Sequence, residues 1–125
     1  MSVDADEDRH FAARDVGRFV TEYRQGDLIF EQDSRGRSMY VILEGKVRID
    51  RSGSALSELG PGEFFGEMAL VDSGTRMASA VALADGTRLA EIDRARFIYL
   101  VSQQPAFSLT VMRVLSQRLT RAQSI

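Results

Sequence analysis

Met39-Tyr40-Val41-Ile42-Leu43-Glu44-Gly45-Lys46-Val47-Arg48-Ile49 places an apolar run on each side of a short polar break, and its reading decides the fold. β-Branched and aromatic residues are frequent in these runs, as a pleated, half-buried surface favours. Glu44-Gly45-Lys46 reads as a tight hairpin, because glycine accepts the positive φ that other residues resist. The pattern extends outward in both directions. The run Leu28–Phe30 precedes this stretch, and Leu56–Leu59, Ala78–Leu83 and Leu89–Ile92 follow it, with glycines at 26, 36, 53, 62, 66, 74 and 86 supplying turns. Gly60-Pro61-Gly62 reads as another turn of the Gly45 kind. Turns about every 8–12 residues between such runs predict an all-β sandwich or barrel, a β-roll over about residues 19–92.

After Ile92 the period becomes helical. Asp93 is suited to N-cap a helix over about 93–104 that carries Phe97, Leu100 and Val101 on one face. Pro105 fits the first position of a second helix, over about 105–122, where its missing N–H is not needed. Phe107, Val111, Val114, Leu115 and Leu119 form that helix's apolar stripe. Whether the stripe is used entirely on the roll or also serves a dimer is open from the residues. Residues 1–15 are polar and charged, an arm or one short helix ahead of a domain spanning 16–125.

A chain of 125 residues with 44% hydrophobic and 27% charged residues is long enough for one core and too apolar for disorder. Its 16 Lys and Arg against 18 Asp and Glu leave a net charge of −2, so direct nucleic-acid binding is not expected. The absence of cysteine excludes disulfides, iron–sulfur clusters and thiolate chemistry. No apolar run approaches the roughly 18 residues that span a bilayer, and the acidic start is unlike a signal peptide, so no membrane contact and a cytoplasmic location are expected. His10 is the sole histidine and precedes the roll. A metal-dependent barrel enzyme would need several converging ligands and a Ser–His–Asp arrangement would need a base in the roll, so a non-enzyme is expected, with no metal and no cofactor.

The chemistry is concentrated in Gly62-Glu63-Phe64-Phe65-Gly66-Glu67-Met68-Ala69-Leu70 and Thr75-Arg76-Met77-Ala78-Ser79. Here, and from about Tyr23 to Ala122, the sequence resembles the cyclic-nucleotide-binding domains of catabolite activators, kinase regulatory subunits and nucleotide-gated channels. Phe65-Gly66-Glu67-Met68-Ala69-Leu70 followed by Arg76-Met77-Ala78 matches the family's phosphate-binding cassette in pattern and spacing. The resemblance implies a mainly β fold, an antiparallel jelly-roll followed by two C-terminal helices.

It also implies a ligand, cyclic AMP or cyclic GMP. A cyclic phosphate carries one charge on two exocyclic oxygens, which a guanidinium fork meets more specifically than an ammonium. Arg76 is the expected phosphate clamp. A helical turn starting near Gly66 would aim free N–H groups at the same anion, with Phe65, Met68 and Ala69 around it. Glu67 is the expected acceptor for the ribose 2′-hydroxyl; a purely structural Glu67–Arg76 ion pair is the alternative. By the same resemblance Ile49, Leu56 and Leu59 line the base pocket, and Arg118 and Leu119 on the last helix cover the base. As residues alone, the first three are ordinary core and Arg118 an ordinary solvated cation. Met77, where members favouring cyclic GMP often carry a hydroxyl, points to cyclic AMP, although it could equally be packing.

Two departures stand out. Gln32 occupies a turn position at which many members have glycine. Transcription factors of the family continue into a helix-turn-helix, whereas this sequence ends at Ile125. The expectation is a sensor that relays occupancy through its C-terminal helix to a separate effector protein, with homodimerisation through that helix possible. A diverged structural domain of the same fold, dimerising without nucleotide, is the alternative.

Overall fold

The structure, a computed structural model, describes residues 19–71 and 74–123, with side chains placed up to 121. The expected N-terminal arm with His10 lies outside the described residues. Eight strands follow in order: β1 (Val20–Tyr23), β2 (Leu28–Phe30), β3 (Ser38–Glu44), β4 (Val47–Arg51), β5 (Ser54–Leu59), β6 (Phe64–Phe65), β7 (Ser79–Ala82) and β8 (Thr87–Asp93). A 3-10 turn, Glu67–Leu70, interrupts them after β6, and α1 (Arg94–Gln103) and α2 (Pro105–Gln123) complete the fold. The strands form two antiparallel four-stranded sheets, ordered β1-β8-β3-β6 and β2-β7-β4-β5. This is the antiparallel jelly-roll with two C-terminal helices that the cassette implied.

The side-chain period of two divides the apolar residues into two cores. On β3, Tyr40 and Ile42 point into the roll, where they pack with Val47, Phe65, Ala80 and Leu89. Met39 and Val41 point the other way and meet Phe64, Ile92, Leu100, Phe107, Val111 and Val114 under the helices. A strand buried on both faces shows no polar alternation, which is why 39–43 reads as a continuous run.

The turns differ from the hairpins expected. β3 pairs with β6 and β8, whereas β4 pairs with β5 and β7, so Glu44-Gly45-Lys46 carries the chain from one sheet to the other. Gly60-Pro61-Gly62 does the same between β5 and β6. The hairpin lies instead at Ser52-Gly53, where Arg51 opposes Ser54 and both turn residues have positive φ, 51° and 83°. Gly45 is required for a different reason than a hairpin: φ is 89°, and a Cβ would sit 2.3 Å from Thr87 Oγ1 and 2.7 Å from Thr87 Cα.

Asp93 caps α1, its carboxylate accepting from the Arg96 N–H at 2.8 Å, and Pro105 opens α2. The expected stripe is only partly used on the roll. Phe107, Val111 and Val114 are buried, but Leu115 is partly exposed and Leu119 largely so.

Two glycines separate backbone strain from close approach. Gly53→Ala, with open space around its Cβ, should lose about 1–2 kcal/mol from left-handed strain alone. Gly45→Ala should lose more, because overlap with a neighbouring backbone carbon has no rotamer to relieve it. Urea denaturation of both checks this; equal losses would mean that the β3–β4 crossing tolerates a side chain.

Candidate functional site

Arg76 is built into the roll by two backbone segments. Its N–H donates to the Ser34 carbonyl and its carbonyl accepts from the Asp33 N–H, both at 2.8 Å, while the Gly36 N–H donates to the Gly74 carbonyl at 2.6 Å. Asp33 turns this loop with φ 70°. The left-handed position that favours glycine is therefore Asp33; neighbouring Gln32 instead donates its N–H to Ser79 Oγ and accepts from the Ser52 N–H at 2.7 Å through its side chain.

Arg76 is 5% exposed. Nη1 donates to the Gly66 carbonyl at 3.1 Å, Cζ lies 4.0 Å from the Phe30 ring centroid, and buried Nε has no hydrogen-bond partner. Among the described residues no carboxylate forms an ion pair with it. Burial lowers its pKa, opposed by Tyr40 and Glu91, which favour the charged form. An arginine in this setting stays cationic. A buried cation without an anion is costly, so the position suits an anion bound beside it.

Gly66 opens the 3-10 turn with φ 78°, and a Cβ there would come within 2.8 Å of Arg76 Nη1. The N–H groups of Glu67 and Met68 fall in the first turn, ahead of any intrahelical acceptor. Leu70 anchors the turn in the core beneath the helices.

Glu67 is held by a different arginine from the one the ion-pair alternative named. Its Oε1 accepts from Arg118 Nη1 at 3.3 Å. Arg118 also donates through Nη2 to the Phe64 carbonyl and lies over the Phe64 ring, Cζ 4.6 Å from its centroid. The final helix is thus fastened to the cassette at Glu67 and Phe64.

These groups line one cavity of about 240 Å³. Gly66, Glu67, Arg76 and Arg118 give it polar groups, with Phe65, Met68 and Ala69 from the same cassette, and Ile49, Leu59, Met77 and Ala78 give it apolar lining. Two of the expected residues are not brought there. Leu56 is 57% exposed, because on β5 it alternates with the lining residues Ser57 and Leu59. Leu119 is 59% exposed, one helical step round from Arg118. Three lining residues were not anticipated: Phe30, Ser57 and Thr75. Ser57 was accessible from the sequence, since it shares a strand face with Leu59; Phe30 had no signal distinguishing it from ordinary core.

The model of the family described as "Cyclic nucleotide-binding domain" matches residues 20–104. The chain belongs to this family. The cyclic AMP receptor protein of Thermus thermophilus is 40% identical over 105 residues, covering 80% of this chain and 48% of the receptor. The crystal structure of the Thermus thermophilus catabolite activator protein superposes with a TM-score of 0.78 at 35% identity, covering 98% of this chain and 58% of that one. A Drosophila melanogaster cGMP-dependent protein kinase is 38% identical over 89 residues, 66% of this chain but 10% of the kinase. The chain spans about half the length of the receptor and a tenth of the kinase. As a cyclic nucleotide-binding domain it has no described helix long and apolar enough to cross a membrane.

Gly36 offers a steric test of the arginine's seat. Its φ is one that L-residues adopt, yet a Cβ would lie 2.2 Å from Arg76 Nε. Gly36→Ala should displace the guanidinium and weaken cyclic nucleotide binding about ten- to a hundred-fold, the worth of one charged hydrogen-bonding group. Calorimetric titration checks this; unchanged affinity would remove Arg76 from the site.

Proposed function

We propose that this domain is a cyclic AMP receptor module that relays ligand occupancy through α2 to an effector protein, without chemistry of its own. The observation that carries the reading is the buried guanidinium of Arg76, without an ion-pair partner among the described residues, in a cavity that it lines together with apolar side chains. That arrangement suits a monoanionic phosphate fused to a flat, weakly polar base. Glu67 lines the same cavity, where its carboxylate serves as acceptor for the ribose 2′-hydroxyl rather than as a repulsive neighbour of the phosphate. Ile49, Leu59, Met77 and Ala78 offer the purine an apolar surface.

Cyclic AMP is preferred to cyclic GMP in this reading because Met77, beside the clamp, presents a thioether and no hydroxyl to a guanine amino group. The relatives' names include both nucleotides, so the preference rests on Met77. Titration with both nucleotides should give cyclic AMP binding at least as tight, and Met77→Thr should move the ratio toward cyclic GMP. A wild-type preference for cyclic GMP would overturn the assignment.

The relay rests on Arg118. It touches the ribose acceptor and the backbone of β6 at once, so ligand at Glu67 changes what α2 is fastened to. A shift of this kind requires the ligand to bind the two helix positions with different affinity. The exposed Met112, Leu115 and Leu119, spaced three and four apart along α2, provide a face for a second copy or for the effector. Direct contact with nucleic acid or membrane is no part of this reading.

Arg76→Ala should weaken cyclic AMP binding by about 2–5 kcal/mol, and Arg76→Lys should recover only part of this. Unchanged affinity in the alanine variant would sink the proposal.

The alternative, a diverged structural domain, draws support from the Glu67–Arg118 ion pair, which gives Glu67 a role without ligand. The two readings separate on 2′-deoxy cyclic AMP. If Glu67 reads the hydroxyl, the deoxy analogue binds the wild type markedly worse than cyclic AMP, and the penalty shrinks in Glu67→Gln. Equal discrimination by both proteins assigns Glu67 to structure.

A further inference from the structure

A buried arginine usually has a carboxylate to fix its plane; Arg76 has none among the described residues. Its guanidinium donates to the Gly66 carbonyl at 3.1 Å, and the Tyr40 side chain is a second hydrogen-bonding neighbour that favours the charged form; neither is a carboxylate. The rest of its hold is by shape. Phe30 presents its ring face to Cζ at 4.0 Å, and Tyr40 lies farther away at 5.8 Å. Phe30 is itself fixed, its ring 5.8 Å from both Tyr40 and Phe65, which stack on each other at 5.4 Å. It also borders the cassette: a Cβ on Gly66 would come 3.4 Å from Phe30 Cε2 as well as 2.8 Å from Arg76 Nη1.

The chemistry of the two possible partners differs. A carboxylate would fix the guanidinium but neutralise it and compete with any incoming anion. An aromatic face attracts the cation through its quadrupole and offers no full negative charge in competition. We propose that Phe30 is the positioning residue of the phosphate clamp, its ring face fixing the plane of Arg76 in place of a carboxylate so that the full charge is kept for the cyclic phosphate. The proposal rests on the nucleotide-binding reading for its ligand, and on the Phe30–Arg76 geometry for its mechanism.

The test compares wild type, Phe30→Leu and Phe30→Tyr. Leucine keeps apolar bulk and removes the ring face; tyrosine keeps the face. Three quantities are read: the dissociation constant for cyclic AMP, the affinity ratio of its two phosphorothioate diastereomers, and the chemical shift of the Arg76 Nε proton. Sulfur replaces one or the other exocyclic oxygen in the diastereomers, so a guanidinium held in one plane distinguishes them.

The expected result is an upfield ring-current shift of the Arg76 proton in wild type and Phe30→Tyr, lost in Phe30→Leu. Phe30→Leu should also weaken cyclic AMP by about two- to thirty-fold, the range of a cation–π contact, and narrow the diastereomer ratio. Phe30→Tyr should stay near wild type in both. An Arg76 proton at its random-coil position in folded wild type overturns the proposal without need of any variant. A uniform loss for both diastereomers in Phe30→Leu, with the proton unmoved, makes Phe30 a pocket wall only and also overturns it. A wild type that shows the ring-current shift but binds neither cyclic AMP nor cyclic GMP rejects the nucleotide reading, and with it the claim that the charge is kept for a phosphate.

Discussion

The burial of Arg76 is the constraint around which the site is arranged. A guanidinium taken out of water needs a seat, and each part of that seat comes from a different place in the chain: Phe30 from β2, Gly36 from the following loop, Tyr40 from β3 and Gly66 from the start of the 3-10 turn. These residues are separated in sequence and meet because the roll stacks one sheet on the other. Both glycines are explained by the same side chain, since a methyl group at either would occupy space the guanidinium already fills. The backbone bonds that tie residues 33–36 to 74–76 hold the seat closed from behind.

The second organising feature is the pair Phe64 and Phe65. Adjacent on a two-residue strand, they point to opposite sides, Phe64 into the core beneath the helices and Phe65 into the core of the roll. Phe65 belongs to the aromatic floor under Arg76, while the carbonyl and ring of Phe64 hold Arg118 of α2. Adjacent residues of β6 thus serve the cavity and the final helix, whose Arg118 itself lines the cavity. Leu70, at the end of the 3-10 turn, gives a second mechanical link between the cassette and the helical core.

Much of this was legible in the sequence because it depends on local chemistry. The apolar runs became strands, Asp93 and Pro105 marked the helix starts, and the cassette placed Glu67 and Arg76 in one cavity. What failed to read depends on pairing across distance. Gly45 needs its positive φ whether it closes a hairpin or crosses between sheets, so the residue alone could not tell the two apart. Leu56 is named for the base pocket by the family resemblance, whereas the alternation of β5 brings Ser57 and Leu59 to the cavity. Leu119 is named with Arg118 by the same resemblance, but about 100° separates successive residues around a helix, and here Arg118 lines the cavity while Leu119 is exposed. The partner of Glu67 was out of reach for the same reason as the role of Phe30: nothing local links residue 67 to 118, or 30 to 76.

The sheet order has a consequence for how the domain acquires its structure. β1 lies against β8, Val20 opposite Ala90 and Tyr23 opposite Thr87, so the first described strand finds its partner only when almost the whole roll is present. Neither the Gly45 crossing nor Gly60-Pro61-Gly62 supplies a local hairpin that could nucleate its neighbours. Loop-closure entropy must then be overcome before most strand contacts form, which puts such a topology among the slower folders, in the millisecond-to-second range rather than microseconds. The Ser52-Gly53 hairpin is the short-range exception, and it stands as the natural starting point from which the two sheets assemble.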